Sequence, residues 1–291
     1  MAEPRRAVEL ALLGLLALLW GASYLFIELA LEGLPPVTLI AVRIGVACLF
    51  LVAVVALRGE RLPRDRRSWG RLFVQSVLNA SGAWLLLAWG QGRIDGAVAA
   101  VLNSTSPLWV TLLALLFVPS ERATPGRALG VALGFGGVLL IVGREASVNW
   151  GEGVAGQLAA LLSAALYAGA ALHGRRLSHL TAPVIAAGTM VAALAVVGPL
   201  ALALDRPWAL RPPAGALAAA LALGLLSTGL ALLLYFRLVR TLGALGVASQ
   251  AYLRAGIGVA LGIVVLGERP EPTVFAGLAA ALAGVWLINR R

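Results

Sequence analysis

The stretch AVAAVLNSTSPLWVTLLALLFVPSER, Ala97–Arg122, is apolar for most of its length, but the polar sequence NSTSP interrupts it at residues 103–107. An apolar run of about 20 residues is enough to cross a hydrocarbon core about 30 Å thick as one helix. Pro107 has no backbone N–H, so the carbonyl of Asn103 loses its helical hydrogen bond. Such a break is tolerated inside a membrane where it is buried in protein or lines a cavity. The stretch therefore predicts a membrane helix interrupted at a polar site or hinge.

The whole chain has the composition of a membrane protein. It has 291 residues, of which 60% are hydrophobic and 12% charged, with a mean hydropathy of +0.93. This is more apolar than an ordinary soluble domain. The runs do not alternate as barrel strands do, so we expect an all-α membrane protein with ten transmembrane helices. The predicted spans are residues 9–30, 36–57, 69–89, 96–118, 125–143, 154–173, 182–204, 214–237, 243–266 and 271–289.

The distribution of arginine predicts the orientation in the membrane. All 23 basic residues are Arg. Sixteen lie at the termini and in connections that would share one side of the membrane, five lie on the other side, and Arg43 and Arg254 fall inside spans. By the positive-inside rule both termini are cytoplasmic. The net charge of +10 therefore reflects topology, and we expect no nucleic-acid partner.

The two halves of the chain repeat each other at an offset of 147 residues. Each half, residues 1–147 and 148–291, contains five predicted spans, so the second half would enter the membrane inverted relative to the first. Inverted repeats are typical of secondary transporters, whose substrate site lies near the midplane between the repeats. The pattern therefore predicts transport by alternating access through a central cavity. The matching pairs are Pro36 with Pro183, Ala97 with Ala244, Glu121-Arg122 with Glu268-Arg269, Pro125 with Pro272, Gly130 with Gly277, and Gly137 with Gly284.

Charged residues inside spans are candidates for function because burying charge in a bilayer is costly. Arg254 has no carboxylate at its own depth. Its guanidinium could bind a substrate carboxylate in a bidentate manner or bond to freed backbone carbonyls. Arg43 and Glu28 lie toward the same side of the membrane, so we expect a structural ion pair between them.

Helical spacing groups the remaining polar residues. Asn103, Ser106 and Pro107 share one face of their span, and at the offset of 147 residues Gln250 and Arg254 correspond to Asn103 and Pro107. A single Ser or Thr in a membrane bundle more often bonds to a neighbouring helix or to its own backbone, and a deep Trp more often packs than binds. The clustering near the midplane nevertheless favours a substrate site. The candidate substrate-binding residues are Asn79, Trp84, Asn103, Ser106, Pro107, Tyr167, Gln250, Tyr252 and Arg254.

The chain offers no arrangement for catalysis or metal binding. It contains no Ser/His/Asp, Cys/His or paired-carboxylate pattern, and its two histidines, His173 and His179, lie near the predicted cytoplasmic surface. GEGVAG, residues 151–156, fits a dinucleotide-binding motif by spelling, but no strand precedes it. We therefore expect no enzyme activity, no cofactor and no metal site.

Three stretches resemble the EamA-type permeases of the drug/metabolite transporter superfamily. They are WGASYLFIELALEGLPPVTLIAVR (Trp20–Arg43), the opening stretch (Ala97–Arg122), and the weaker copy ALGVASQAYLRAGIGVALGIVVLGER (Ala244–Arg269). The resemblance implies a ten-helix carrier of the bacterial inner membrane with cytoplasmic termini and a cavity between its halves. The aromatic amino-acid exporters are the members that the chain looks most like. Arg254 departs from the family pattern, which has Pro at this position of the second copy.

The expected activity is export of amino acids, aromatic ones among them, or of related small metabolites. The expected partners are this small-molecule substrate and the lipid bilayer, with the protein a monomer or weak homodimer. One alternative is a broad-specificity efflux permease for drugs or organic ions, although two buried arginines disfavour organic cations. Another is a membrane scaffold or lipid-interacting protein that transports nothing.

Overall fold

The computed structural model describes residues 3–117, 124–148, 151–248 and 250–289, and within these ranges a few side chains, that of Tyr252 among them, are outside the description. Every regular element in this part of the chain is a helix. The α-helices are α1 (Glu3–Leu31), α2 (Pro36–Leu57), α3 (Arg66–Ser76), α4 (Gly82–Gln91), α5 (Gly96–Asn103), α6 (Ser106–Phe117), α7 (Pro125–Val148), α8 (Glu152–Gly174), α9 (Ala182–Leu204), α10 (Ala214–Gly224), α11 (Ala231–Ala248), α12 (Gln250–Leu266) and α13 (Pro272–Asn289).

The predicted all-helical membrane class is confirmed for the described residues. Eight continuous helical segments are long and apolar enough to cross a membrane. Two shorter apolar helices, Leu253–Leu266 and Pro272–Ile288, lie where the ninth and tenth spans are predicted. The number of ten spans and their division into two repeats stay predictions.

Two of the spans contain π-helical turns. One turn, Val77–Ser81, joins α3 to α4, and the other, Leu225–Leu230, joins α10 to α11. Shifting the first turn by 147 residues gives residues 224–228, so the two turns occupy nearly equivalent positions in the two halves. Such turns occur frequently at functional sites.

Glycines allow α7 and α13 to pack closely. A Cβ atom at Gly130 would lie 2.5 Å from the carbonyl oxygen of Gly284, and a Cβ atom at Gly137 would lie 2.8 Å from the carbonyl oxygen of Gly277. Larger residues would therefore force the helices apart, as at other small-residue contacts in membranes. The offset of 147 residues relates Gly130 to Gly277 and Gly137 to Gly284, so it exchanges one contact with the other.

Helices α2 and α9 pack along each other at the centre of the bundle, where Ile40, Ile44 and Met190 are fully or almost fully buried. At one end, the backbone N–H and the hydroxyl of Thr38 donate to Asp205 Oδ2 at 2.9 Å and 2.8 Å. At the other end, the hydroxyl of Thr181 donates to a carboxylate oxygen of Glu60. Each helix start is thus bonded to an acidic residue that follows the other helix.

Candidate functional site

A cavity of about 490 Å³ lies in the middle of the bundle. Its size is within the usual range for sites that bind small molecules. Its walls come from both halves of the chain, with residues of α1, α2 and α5 facing residues of α9, α11 and α12. The structure brings together six of the candidate substrate-binding residues here: Asn79, Trp84, Asn103, Tyr167, Gln250 and Arg254.

Ser106 and Pro107 do not line the cavity but form the predicted helix break beside it. Helix α5 ends at Asn103 and α6 begins at Ser106. The hydroxyl of Ser106 donates to the carbonyl oxygen of Asn103 at 2.9 Å, the acceptor that Pro107 leaves without a helical donor. These two residues therefore shape the break, whereas the prediction placed them among the binding residues. The third remaining candidate, the side chain of Tyr252, lies outside the described residues.

Asn103, the last residue of α5, lines the cavity and connects α5 to α1 and α8. Its side chain is 1% exposed. Its Oδ1 accepts a hydrogen bond of 3.2 Å from the Tyr24 hydroxyl on α1, and its Nδ2 donates to the Ser163 hydroxyl on α8 at 3.3 Å. Since both of its polar atoms are engaged, Asn103 is held in one orientation on the cavity wall.

Arg43 is a cavity residue, and the predicted ion pair with Glu28 is wrong. Arg43 is 5% exposed, its Nε donates to Thr228 Oγ1 at 3.0 Å, and its guanidinium carbon lies 3.7 Å from the centroid of the Trp84 ring. Glu28 instead accepts a hydrogen bond of 3.4 Å from Gln91 Nε2. The cation–π contact and the hydroxyl hold Arg43 toward the cavity, whereas Glu28 is bonded to the end of α4.

Arg254 lines the cavity without a described partner. Its Nε is buried, and no hydrogen bond reaches it from the described residues. Three further cavity atoms share this condition: Gln75 Oε1, Ser227 Oγ and Gln250 Oε1. A buried polar group without a partner costs about 1–3 kcal/mol. The cavity therefore presents both donors and acceptors that water or a ligand can satisfy.

Aromatic rings form the apolar part of the wall. Trp20 and Tyr235 contact each other with ring centroids 5.4 Å apart, and Tyr24 and Phe236 line the same cavity. Trp109 is not among the described lining residues of the cavity and packs edge-on against Phe135 with ring centroids 4.8 Å apart. The site thus combines a broad aromatic surface with a few polar groups, as ligand sites commonly do.

The cavity extends toward one end of the bundle. Gln75, Gly174 and Ile185 line it. Gly174 is the last residue of α8, Ile185 lies in the first turn of α9, and Gln75 lies near the end of α3. This is the end that the arginine distribution predicts to be cytoplasmic.

A carboxylate contact joins two segments at the opposite end of the bundle. The two oxygens of Glu268 accept hydrogen bonds from Gly96 N at 2.8 Å and Ala97 N at 2.9 Å, so Glu268 caps the start of α5. Burial raises the pKa of Glu268 above its ordinary value, and nearby Asp95 raises it further, while the two backbone hydrogen bonds act in the opposite direction. The Glu268 contact thus joins the segment after α12 to the first turn of α5.

Replacing Ser106 tests the helix break. Ser106→Ala removes the donor to the Asn103 carbonyl, and we expect the free energy of unfolding in detergent micelles to fall by about 1–3 kcal/mol. The double variant Ser106→Ala/Pro107→Ala restores a backbone N–H at position 107 and should recover most of this loss. Titration with a denaturing detergent measures both changes. A double variant no more stable than Ser106→Ala would show that the hydroxyl does not replace the missing amide.

Comparison with known proteins gives a consistent set of similarities. The sequence model of the EamA-like transporter family matches residues 8–143 and 154–290. The probable terminal-alkyne amino-acid exporter of Streptantibioticus cattleyicolor is 28% identical over 276 residues, covering 94% of this chain and 90% of the exporter. The uncharacterized inner membrane transporter YedA of Escherichia coli K12 is 25% identical, covering 94% and 88%. A solved crystal structure superposes with a TM-score of 0.66 over 98% of both chains at 22% identity, a likeness of fold alone.

Proposed function

Because the chain belongs to the EamA-like transporter family, we propose that it is a secondary transporter that exports amino acids, aromatic ones among them, or related small metabolites. The observation that carries this proposal is the central cavity, where Asn103, Gln250 and Arg254 meet. The Streptantibioticus relative is named as an amino-acid exporter. Asn103, Gln250 and Arg254 would orient the polar groups of the substrate, and Trp84 and Tyr167 would contact its apolar part.

The transport cycle would use alternating access between two inverted repeats, residues 1–147 and 148–291. Two structural relations and one sequence match support this division. The glycine contacts of α7 with α13 exchange under the offset of 147 residues, the two π-turns occupy nearly equivalent positions, and the family model matches two segments of similar length. A two-fold relation of this kind lets the same contacts form at either end of the cavity.

The structure would correspond to the state in which an exporter takes up its substrate. The cavity extends toward the predicted cytoplasmic end, while Glu268 bonds to Gly96 and Ala97 at the other end. Substrate binding would lead to closure of the cytoplasmic end and release of the Glu268 contact. The chain would then be a multi-pass inner-membrane protein with both termini in the cytoplasm.

Transport into liposomes tests the proposal. Purified protein is reconstituted and supplied with radiolabelled amino acids, and the initial rates of Asn103→Ala and Arg254→Ala are compared with the parent. We expect each substitution to lower the rate about tenfold or more, because each removes a polar contact worth at least about 1.4 kcal/mol to a desolvated substrate. Arg58→Ala, at an exposed position after α2, should transport like the parent.

Three outcomes would contradict these assignments. If Asn103→Ala and Arg254→Ala transport as fast as the parent, the site is elsewhere. If the folded parent moves no labelled compound, and single cysteines react with a thiol reagent from one side only under all conditions, the chain is a membrane scaffold rather than a carrier. Transport of organic cations instead of amino acids would indicate the broad efflux permease.

A further inference from the structure

The charge of the cavity is positive and uncompensated within the described residues. Two of its lining residues are arginines, Arg43 and Arg254, and none of the described lining residues is Asp or Glu. Both arginines line the cavity together with Tyr24 and Tyr167. The cavity therefore holds two positive charges around one central space.

Three acidic residues in or next to helices that line the cavity are engaged elsewhere. Glu9 accepts a hydrogen bond of 2.9 Å from Arg237 and forms an ion pair with it. Glu28 is bonded to Gln91, and Glu268 caps α5. None of these carboxylates is described in contact with Arg43 or Arg254.

Both arginines keep donors that a ligand could use. Arg43 donates a hydrogen bond from Nε to Thr228 and lies over the Trp84 ring, and these two contacts fix the plane of its guanidinium. Arg254 has a buried Nε without a partner among the described residues. A guanidinium binds a carboxylate best through two parallel hydrogen bonds. The cavity can thus offer such bonds from each of its two arginines.

Closure of the cavity decides which substrate charge is tolerated. While the cavity is open, water can solvate both guanidinium groups. When alternating access closes the cavity, much of that water is lost, and a buried charge without a counter-charge is costly. A zwitterionic substrate would leave the total charge at about +2, whereas a substrate with two negative groups would bring it to zero.

We propose, on the basis of the transport function proposed above, that the substrate is a small organic acid with two carboxylate groups, one bound by Arg43 and the other by Arg254. Its apolar body lies against the aromatic wall of the cavity, which includes Trp20 and Tyr235 as well as Trp84 and Tyr167. The unpaired acceptors Gln75 Oε1 and Gln250 Oε1 receive hydroxyl or amino substituents of the same molecule. A zwitterionic amino acid with an uncharged side chain would bind less well, and an organic cation would not bind.

Four compounds that share a phenyl ring test this proposal: phenylsuccinate with two carboxylates, 3-phenylpropanoate with one, phenylalanine as the zwitterion and phenethylamine as the cation. Binding to the full-length protein in detergent is measured by titration calorimetry. We expect phenylsuccinate to bind about tenfold or more tightly than phenylalanine, with 3-phenylpropanoate between them and no binding of phenethylamine.

Variants of Arg254 separate charge from packing. Arg254→Gln should weaken phenylsuccinate binding by about tenfold or more and phenylalanine binding by a smaller factor, because phenylalanine has a single carboxylate that Arg43 can still bind. Arg254→Lys, which keeps the charge, should retain part of the phenylsuccinate affinity. Arg58→Gln, the same change at an exposed site, should bind like the parent. Melting temperatures identify any variant that is misfolded, and Arg254→Lys still tests the proposal if Arg254→Gln does not fold.

Several results would overturn the inference. Phenylalanine binding as tightly as phenylsuccinate, absence of binding for all four compounds, or equal losses for both ligands in Arg254→Gln would each exclude a two-carboxylate site. Amino-acid export would survive the first and third of these results. Failure of the folded parent to carry any labelled compound into liposomes would contradict the transport function itself, whatever the order of binding.

Discussion

Gly284→Ala is expected to lower the free energy of unfolding by about 1–3 kcal/mol, the usual cost of overpacking a close contact. A Cβ atom at this position would overlap the carbonyl oxygen of Gly130 and lie 2.9 Å from Gly134 N and 3.1 Å from Gly134 Cα. All three atoms belong to the backbone of α7, so no side chain can rotate away. Unfolding in mixed micelles, followed by circular dichroism as the denaturing detergent increases, measures the change.

Gly136→Ala is the matched control, because Gly136 lies on α7 and nothing is within 4 Å of an added Cβ atom. Here we expect no loss of stability, or a gain of up to about 1 kcal/mol from the better helix propensity of Ala. Equal destabilisation by both substitutions would show that α7 and α13 do not pack through their glycines.

Glu268→Ala is expected to open the end of the bundle where Glu268 bonds to the start of α5. The substitution leaves the N–H groups of Gly96 and Ala97 without their acceptor, and water can replace it only if this end becomes hydrated. A cysteine at Leu87, which lines the cavity, reports the change in a Cys48→Ser background. Labelling of Leu87→Cys by a membrane-impermeant thiol reagent from the predicted non-cytoplasmic side should increase about tenfold or more. This corresponds to a shift of roughly 1.4 kcal/mol in the equilibrium between the closed and the open arrangement of this end.

The same labelling should depend on pH through Glu268. Burial raises the pKa of Glu268 in the closed arrangement, so the closed arrangement binds the proton more tightly than the open one. Protonation therefore stabilises the closed arrangement, and this stabilisation is fully present below the ordinary pKa of a glutamate. It is lost as the pH rises through the raised pKa. Asp95 adds negative charge nearby and acts in the same direction. Labelling of the parent should therefore increase with pH.

Glu268→Gln provides the reference at each pH, since it has no proton to lose and the reactivity of the cysteine itself changes equally in both proteins. The ratio of parent to Glu268→Gln labelling should rise across the titration of Glu268. A ratio that stays constant with pH, or no gain of labelling in Glu268→Ala, would show that Glu268 does not control access at this end.

Local chemistry made part of the structure predictable from the sequence. The apolar runs predict the all-helical membrane class, because a spanning segment must satisfy its own backbone hydrogen bonds. Pro107 predicts the break between α5 and α6, since the missing N–H is a property of the residue itself. The offset of 147 residues singled out Gln250 and Arg254, which the structure places in the cavity with Asn103.

The remaining features depend on which helices become neighbours. Arg43 was assigned to Glu28 because both lie toward one side of the membrane, but its hydrogen-bond partner Thr228 is 185 residues away. The partners of Glu268 are backbone amides, which every residue except Pro possesses, so no side-chain pattern could point to them. The hydroxyl of Ser106 was read as a ligand group, although an acceptor, the Asn103 carbonyl, lies only three residues earlier in the chain.

The π-turns at Val77–Ser81 and Leu225–Leu230 change the rotational phase of the helices that contain them. One residue of an α-helix corresponds to a rotation of about 100°, so an inserted residue turns all later side chains by about that angle relative to earlier ones. The lipid-facing positions of α3 and those of α4 therefore need not follow one continuous helical pattern. Asn79, at the junction, lines the cavity. In each of these two spans, a one-residue deletion would alter more positions than any single substitution, because it would rotate half of the span against its neighbours.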